Sequence, residues 1–245
     1  FARMTPEDKL RLVRLYRKAG FVVAVTGDGV NDALALSESN IGVSMGKTGT
    51  DVAKEAADVV VTDDNLSTII KAVEEGRGIF DNIVKVVVFL FSSNIAELLL
   101  IFICVILGFP IPLTVTQILW VNLIGDSLPA LALSIDTKRK NLLLNKPRKA
   151  SENVLNPKRF LYILKITIPF VAILMTLYLF ALQNYSHEIA QLIVFNSLVV
   201  GEMFIVFIVR KGLFPLNKFL IFSIIVTLLL QVFTFFNPFL RALLS

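Results

Sequence analysis

Three carboxylates stand where the sequence is otherwise apolar: Glu97, Asp126 and Glu202. An Asp at the centre of a membrane helix costs ~2.5–3.5 kcal/mol on insertion scales, so such a group is read first as functional. The neighbours sharpen that reading. Asn94 and Glu97 are three residues apart and Asn122 and Asp126 four apart, so each pair shares a helix face. Pro129 has no N–H to offer the carbonyl of Gly125, four residues earlier, which frees a backbone oxygen beside these side chains. Broken backbone at membrane depth is tolerated where it lines a site. Carboxylate, amide and carbonyl oxygens suit a hard cation such as Ca²⁺. Neither His nor Cys joins the set, which argues against a soft transition metal. The competing reading is that these groups bond between helices and hold them together, and it weighs more for Glu202 than for the other two.

A second constellation is Thr26-Gly27-Asp28-Gly29-Val30-Asn31-Asp32, directly after the apolar run Phe21–Val25. Asp28 and Asp32 then fall at the carboxyl end of a strand, where open α/β sheets bind ligands. Gly27 and Gly29 permit a tight turn with backbone close to a ligand. Two carboxylates at such a turn can hold Mg²⁺, which would neutralise a phosphoryl group. Gly42-Val43-Ser44-Met45-Gly46-Lys47-Thr48 approaches a P-loop but has three residues between its glycines where four are required.

The elements that position these groups follow from the pattern. Residues 1–83 alternate in the α/β manner: a helix over Pro6–Ala19, a doubly buried strand Phe21–Val25, a short helix around Asp32–Ser37, a strand Ile41–Met45, a helix Asp51–Ala56, a strand Asp58–Val61 and a helix restarting at Ser67. Three short strands are too few for a robust core, so they read as the edge of a doubly wound sheet whose remainder lies upstream. Five apolar runs follow, at roughly 84–107, 113–135, 160–182, 189–209 and 216–236, each near the ~20 residues that cross a bilayer.

Charge orders these runs. Residues 1–83 hold 10 basic and 13 acidic residues, whereas 84–245 hold 14 basic and 6 acidic. The connector Asp136–Arg159 carries Lys138, Arg139, Lys140, Lys146, Arg148, Lys149, Lys158 and Arg159, and Arg210–Lys218 carries three more basic residues. Gly108–Pro112 has no charge and Gln183–Glu188 no Lys or Arg. Basic connectors mark the cytoplasmic side, which places residues 1–83 there and the basic cluster against anionic lipid. The high isoelectric point is therefore no nucleic-acid signal, and no nucleic-acid partner is expected. A single cysteine, Cys104, permits no intrachain disulfide and reads as packing. The chain opens on Phe1 with no signal peptide, as expected of a truncated sequence.

These residues carry a resemblance to P-type cation-transporting ATPases, calcium pumps in particular, over essentially the whole chain. Thr26–Asp32 resembles that family's TGDGVND motif, and Phe1-Ala2-Arg3-Met4-Thr5-Pro6-Glu7-Asp8-Lys9 its FAR-x-x-P-x-x-K segment. Gly49-Thr50-Asp51-Val52-Ala53-Lys54 and Asp63-Asp64-Asn65 also match, as do Ser93–Glu97, Trp120–Asp126 and Gly201-Glu202-Met203. The resemblance implies a partial haloacid-dehalogenase-like phosphorylation domain, an α/β unit with stalk over residues 1–83. An α-helical multi-pass transmembrane bundle follows over 84–245, with about five helices and the final one missing. It implies that Asp28 binds Mg²⁺ with Asp32 nearby, that Thr26, Asn31 and Asp32 support the phosphoryl site, and that Lys9 contacts an aspartyl phosphate. It implies a transported cation, Ca²⁺ by preference, held by Asn94, Glu97, Asn122, Gly125, Asp126 and Glu202.

There are departures. Gly125 stands where two-site calcium pumps usually have Thr, which puts ion number in doubt and keeps Na⁺, K⁺ or Mn²⁺ open. Lys47-Thr48-Gly49-Thr50 resembles the end of the family's DKTGT motif, but Gly46 precedes it and offers no carboxylate to phosphorylate. The nucleophilic aspartate, the actuator domain, four membrane helices and most of the ATP-binding part are expected in a missing N-terminal portion of the same protein, and the isolated chain is expected to be inactive. A membrane-tethered phosphatase would need a nucleophilic Asp-x-Asp, which is absent. In the implied cycle, ~30 residues of continuous helix beyond Ser67 span ~45 Å and couple the two parts. Cations and protons compete for the same carboxylates, so proton counter-transport is expected in a plasma-membrane pump.

Overall fold

The computed structural model describes residues 4–139, 141–144, 146, 148, 152–212, 215, 217–237, 240 and 244, apart from the Phe235 side chain. Phe1–Arg3 of the first motif, Lys140 and Lys149 of the basic cluster, and Leu216 of the fifth apolar run lie outside the described residues. The chain divides into two compact units, residues 1–77 with 140–153 and residues 78–139 with 154–245.

In the first unit, α1 (Pro6–Lys18) begins at a reciprocal cap. The Thr5 hydroxyl accepts from the Asp8 N–H, and the Asp8 carboxylate accepts from the Thr5 N–H. Pro6 at the first helical position loses nothing by lacking an N–H. Then come β1 (Ala24–Gly27), a 3₁₀ turn (Val30–Asp32), α2 (Ala33–Glu38), β2 (Ile41–Met45), α3 (Asp51–Ala56) and β3 (Val59–Val61). The strands are parallel in the order β1-β2-β3, with Thr26 opposite Val43 and Met45 opposite Val61. Central β2 buries Gly42, Val43 and Ser44. Helices alternating with parallel strands fit the α/β pattern, but a sheet this small does not define one fold family.

The first strand differs from its sequence expectation. It starts at Ala24, and Phe21 and Val22 are 60% and 52% exposed. β1 has a described neighbour on one side only. The preceding residues leave α1 through Gly20 at φ +85° and are tied down through Val23, which bonds Asn40 and Ile41 outside the ladder.

α4 is continuous from Leu66 to Ile106, 41 residues, and the division between the units falls within it. α4, α7 (Pro157–Asn184) and α8 (His187–Arg210) are long and apolar enough to cross a membrane, and α9 (Lys218–Phe236) is a shorter apolar helix. The second expected run is not one α-helix. α5 (Val115–Trp120) passes into a π-helical turn, Val121–Gly125, and then into α6 (Ser127–Ser134). There the Asp126 N–H reaches back five residues to the Val121 carbonyl at 2.9 Å, a distortion frequent at functional sites.

Two apolar clusters fill the second unit, one around Leu100, Val121, Tyr178 and Leu198, the other around Phe89, Leu133, Ile163 and Val206. Buried Cys104 packs with its sulfur 3.7 Å from that of Met175. Gln231 pairs across helices, accepting from the Trp120 indole at 3.0 Å and donating to Asn196 at 2.9 Å.

Candidate functional site: an intramembrane oxygen cluster and a strand-end loop

Between the apolar clusters, α4, the π-helical turn and α8 each contribute acid or amide side chains. Glu97, Asp126 and Glu202 are 5%, 2% and 0% exposed. Asn122 donates to Glu97 Oε2 at 3.0 Å and to the Ile118 carbonyl at 2.9 Å, which ties the broken helix to α4. A Cβ placed on Gly125 would lie 3.6 Å from Glu202 Oε2, so this backbone runs directly past the α8 carboxylate. Glu97, Asp126 and Glu202 lie close enough to act electrostatically on one another, with the Ser93 hydroxyl beside the latter two.

Ser93 Oγ, Glu97 Oε1, Asp126 Oδ1 and both Glu202 oxygens are buried without a hydrogen-bond partner. Thr227 Oγ1 is the one other such side-chain atom among the described residues, so the unsatisfied polarity is concentrated in one place. A buried oxygen normally finds a partner, and leaving one unmade costs ~1–3 kcal/mol, more for a charge. No three His, Cys, Asp or Glu side chains among the described residues are gathered as a formed metal centre. A hard cation fits the donor set, since all of it is oxygen.

Asn94 does not join this cluster. It is exposed, and its amide donates to the Leu90 carbonyl of its own helix at 2.7 Å. Ser93, four residues before Glu97, faces inward instead and is fully buried. The spacing of three put Asn94 near the right face, and the spacing of four selected its neighbour.

In the first unit, Thr26, Asp28 and Asn31 are exposed at the carboxyl end of β1. Asp32 is mostly buried and meets Lys9, Nζ to Oδ1 2.6 Å, so these two are brought together. The Gly29 N–H donates to the other Asp32 oxygen at 3.3 Å. Gly27 must be glycine for this turn, because a Cβ there would sit 2.4 Å from the Asp32 Cβ. Burial pushes the Asp32 carboxyl up, but the Lys9 ammonium and the Gly29 N–H outweigh it and hold the group below the usual range. The Asp28 carbonyl accepts from the Thr50 N–H at 2.8 Å, which ties this loop to the start of α3.

The P-loop look-alike is occupied by the chain itself. The N–H groups of Gly46, Lys47 and Thr48 all donate to the Asp64 carboxylate, at 2.7, 2.9 and 2.8 Å. Led by the Lys47 N–H, these donors bring the Asp64 carboxyl to about 2.

Sequence reasoning missed a second buried cluster. Asp136, after α6, accepts from Lys85 of α4 at 2.7 Å, from Arg210 of α8 at 3.0 and 3.1 Å, and from Asn217 before α9 at 3.1 Å. Asn82 bonds both Lys85 and the Asp136 carbonyl. Opposite charges at the ends of three apolar runs were the available signal, but charges at run ends are normally read as topology marks alone.

Long apolar helices around a broken one with inward carboxylates define a multi-pass membrane protein. Residues 110–245 match the family described as "Cation transporting ATPase, C-terminus". The chain is 40% identical to a calcium-transporting ATPase of Bacillus subtilis over 97% of its own length and 28% of that protein's. It is 53% identical to calcium-transporting ATPase 1 of Bacillus cereus over 63% of its length and 17% of the relative's. With human calcium-transporting ATPase type 2C member 1 the identity is 45%, over 69% and 18%. The chain thus belongs to the P-type cation-transporting ATPases and spans less than a third of the length of these relatives.

Proposed function

We propose that this chain supplies the cation site and part of the phosphoryl-handling site of an ATP-driven calcium pump that works through an aspartyl-phosphate intermediate. The observation that carries the reading is the group of buried, unpartnered oxygens on Ser93, Glu97, Asp126 and Glu202 around a π-helical turn. Ca²⁺ as cargo would satisfy several of these oxygens at once, with Asn122 and the backbone at Gly125 completing the set. Asn94, on the exposed side of α4, would serve ligands contributed from elsewhere in a longer protein. Protons replace the cation when it leaves, so the pump exchanges Ca²⁺ for H⁺ across the cell membrane, with residues 1–83 in the cytoplasm.

The first unit is read as the carboxyl-terminal part of a haloacid-dehalogenase-like domain. Asp28 and Asp32 would hold Mg²⁺, which when bound neutralises phosphoryl charge. Lys9 is poised by Asp32 to contact the phosphoryl oxygens, and Thr26 and Asn31 stand at the same strand end to position them. ATP is bound mainly by residues outside this chain. α4 is the coupling element, a helix continuous from Leu66 to Glu97 and beyond.

The test is ATP hydrolysis by the full-length pump in sealed vesicles, titrated with free Ca²⁺, alongside Glu97→Gln. Micromolar Ca²⁺ should activate the wild type, and the variant should lose that activation. Activity indifferent to every cation in both proteins would remove the intramembrane site. Gly125 favours a second reading, in which one fewer side-chain oxygen tunes the site for Na⁺, K⁺ or Mn²⁺. Activation by one of these instead of Ca²⁺ would establish it.

A further inference from the structure

A cavity of about 370 Å³ lies in the second unit among α4, α7 and α8, apart from the oxygen cluster. Arg139, Lys158, Arg159 and Lys211 line it against a single carboxylate, Asp81. Asp81 meets Arg139 at 3.9 Å, Arg159 is engaged by its own segment through the Val154 carbonyl at 2.9 Å, and Lys158 and Lys211 add two exposed cations to the lining. Lys85 also lines the cavity, but it is buried and its ammonium is held by Asp136 at 2.7 Å. Val84, Val88 and Val209 provide an apolar floor. Lys211 is turned at the end of α8 by a left-handed backbone, φ 66°, and is exposed together with Lys158 and Arg139.

The position of the cavity decides what fits. Its cations belong to the connector after α6, the first turn of α7 and the last residue beyond α8. Those are the basic ends of the apolar helices, which the charge rule assigns to the cytoplasmic interface. The floor is made by the adjacent apolar turns of α4 and α8. Basic pockets between membrane helices on that side bind anionic lipid head groups. A free phosphate would use the rim and leave the floor unused, whereas a phospholipid matches both with its phosphate and the start of its acyl chain.

We propose that this cavity is a binding site for the head group of an anionic phospholipid, with Lys158, Lys211 and Arg139 holding the phosphate. The site depends on the membrane assignment and not on which cation is transported.

The experiment is native mass spectrometry of the detergent-solubilised full chain titrated with phosphatidylglycerol or phosphatidylcholine. One phosphatidylglycerol should be retained in preference to phosphatidylcholine. The double variant K158Q/K211Q should weaken that binding about 10- to 30-fold, at on the order of 5-fold per cation, and K158R/K211R should restore it. K54Q/K71Q removes the same charge from the first unit and should change nothing. Three outcomes overturn the proposal: no preference for the anionic lipid, an equal loss in the K54Q/K71Q control, or displacement of the lipid by millimolar inorganic phosphate.

Discussion

The second unit buries carboxylates in two ways. Asp136 is surrounded by Lys85, Arg210 and Asn217, and both of its oxygens accept hydrogen bonds. Glu202 is equally hidden, yet neither of its oxygens has a partner among the described residues. The first arrangement has no unmet need and serves to hold α4, α6, α8 and α9 together. The second has no ion pair and no formed hydrogen bond among the described residues, with the Ser93 hydroxyl as its neighbouring donor, which is tolerable where something else arrives to supply the charge. Burial alone therefore does not separate a structural acid from a functional one. The count of unmet oxygens is what differs between the two acids, and it is the feature on which the proposed cation site rests.

The largest effect tests the satisfied side. Arg210→Met removes both hydrogen bonds of the guanidinium to Asp136 and leaves Lys85 as the one remaining counter-ion of Asp136 among the described residues. Removing one partner of a buried pair costs up to ~3–5 kcal/mol when nothing compensates, and Lys85 offsets part of it, so the thermal unfolding midpoint of the purified chain should fall. Replacing Lys85, Asp136 and Arg210 together with apolar residues of similar volume should recover most of that loss. An Arg210→Met protein as stable as the parent would mean that the contrast with Glu202 is false.

Glu202→Gln should behave in the opposite sense. It takes away an uncompensated buried charge, so stability should hold or rise. Ca²⁺ binding to the full-length pump should weaken by at least about tenfold, because affinity follows the charge of the ligand set. Equilibrium binding of radioactive Ca²⁺, with unfolding followed on the same preparation, separates the two quantities. A variant that is destabilised but binds Ca²⁺ normally would place Glu202 with Asp136 as a structural acid.

How legible this was depended on the range of the interactions. Local patterns were read well: β2 and α3 have their expected bounds, and the helix restarting near Ser67 begins at Leu66. Glu97, Asp126 and Glu202 were visible because a charge within an apolar run is conspicuous in one dimension. Pro129 announced trouble in the second run, but the form it took, a π-helical turn just upstream, depends on packing against α4 and α8. The choice of Ser93 over Asn94 turns on a rotation of one residue about the helix, finer than spacing alone resolves. The Asp136 network joins residues up to 81 positions apart, and nothing local in the sequence marks Asp136 as the partner of Lys85 and Arg210.

Asp64 gives the contrast its mildest test, because it is a satisfied carboxylate without deep burial. Three backbone N–H groups hold it, and its carboxyl is lowered from the ordinary 3.8 to about 2. A folded-state value below the unfolded one means that the carboxylate stabilises the loop fully above pH ~4. That contribution fades as the pH falls through about 2. Protection of the Gly46, Lys47 and Thr48 amides against hydrogen exchange should therefore be steady from pH 6 to 4 and fall below pH 3. Asp64→Asn should show the low protection at every pH, with little change elsewhere, since the amide keeps only one acceptor oxygen for three donors. If the variant retained full protection at these three amides, satisfied oxygens would not by themselves order a segment, and the argument drawn from Asp136 would need its burial as well as its bonds.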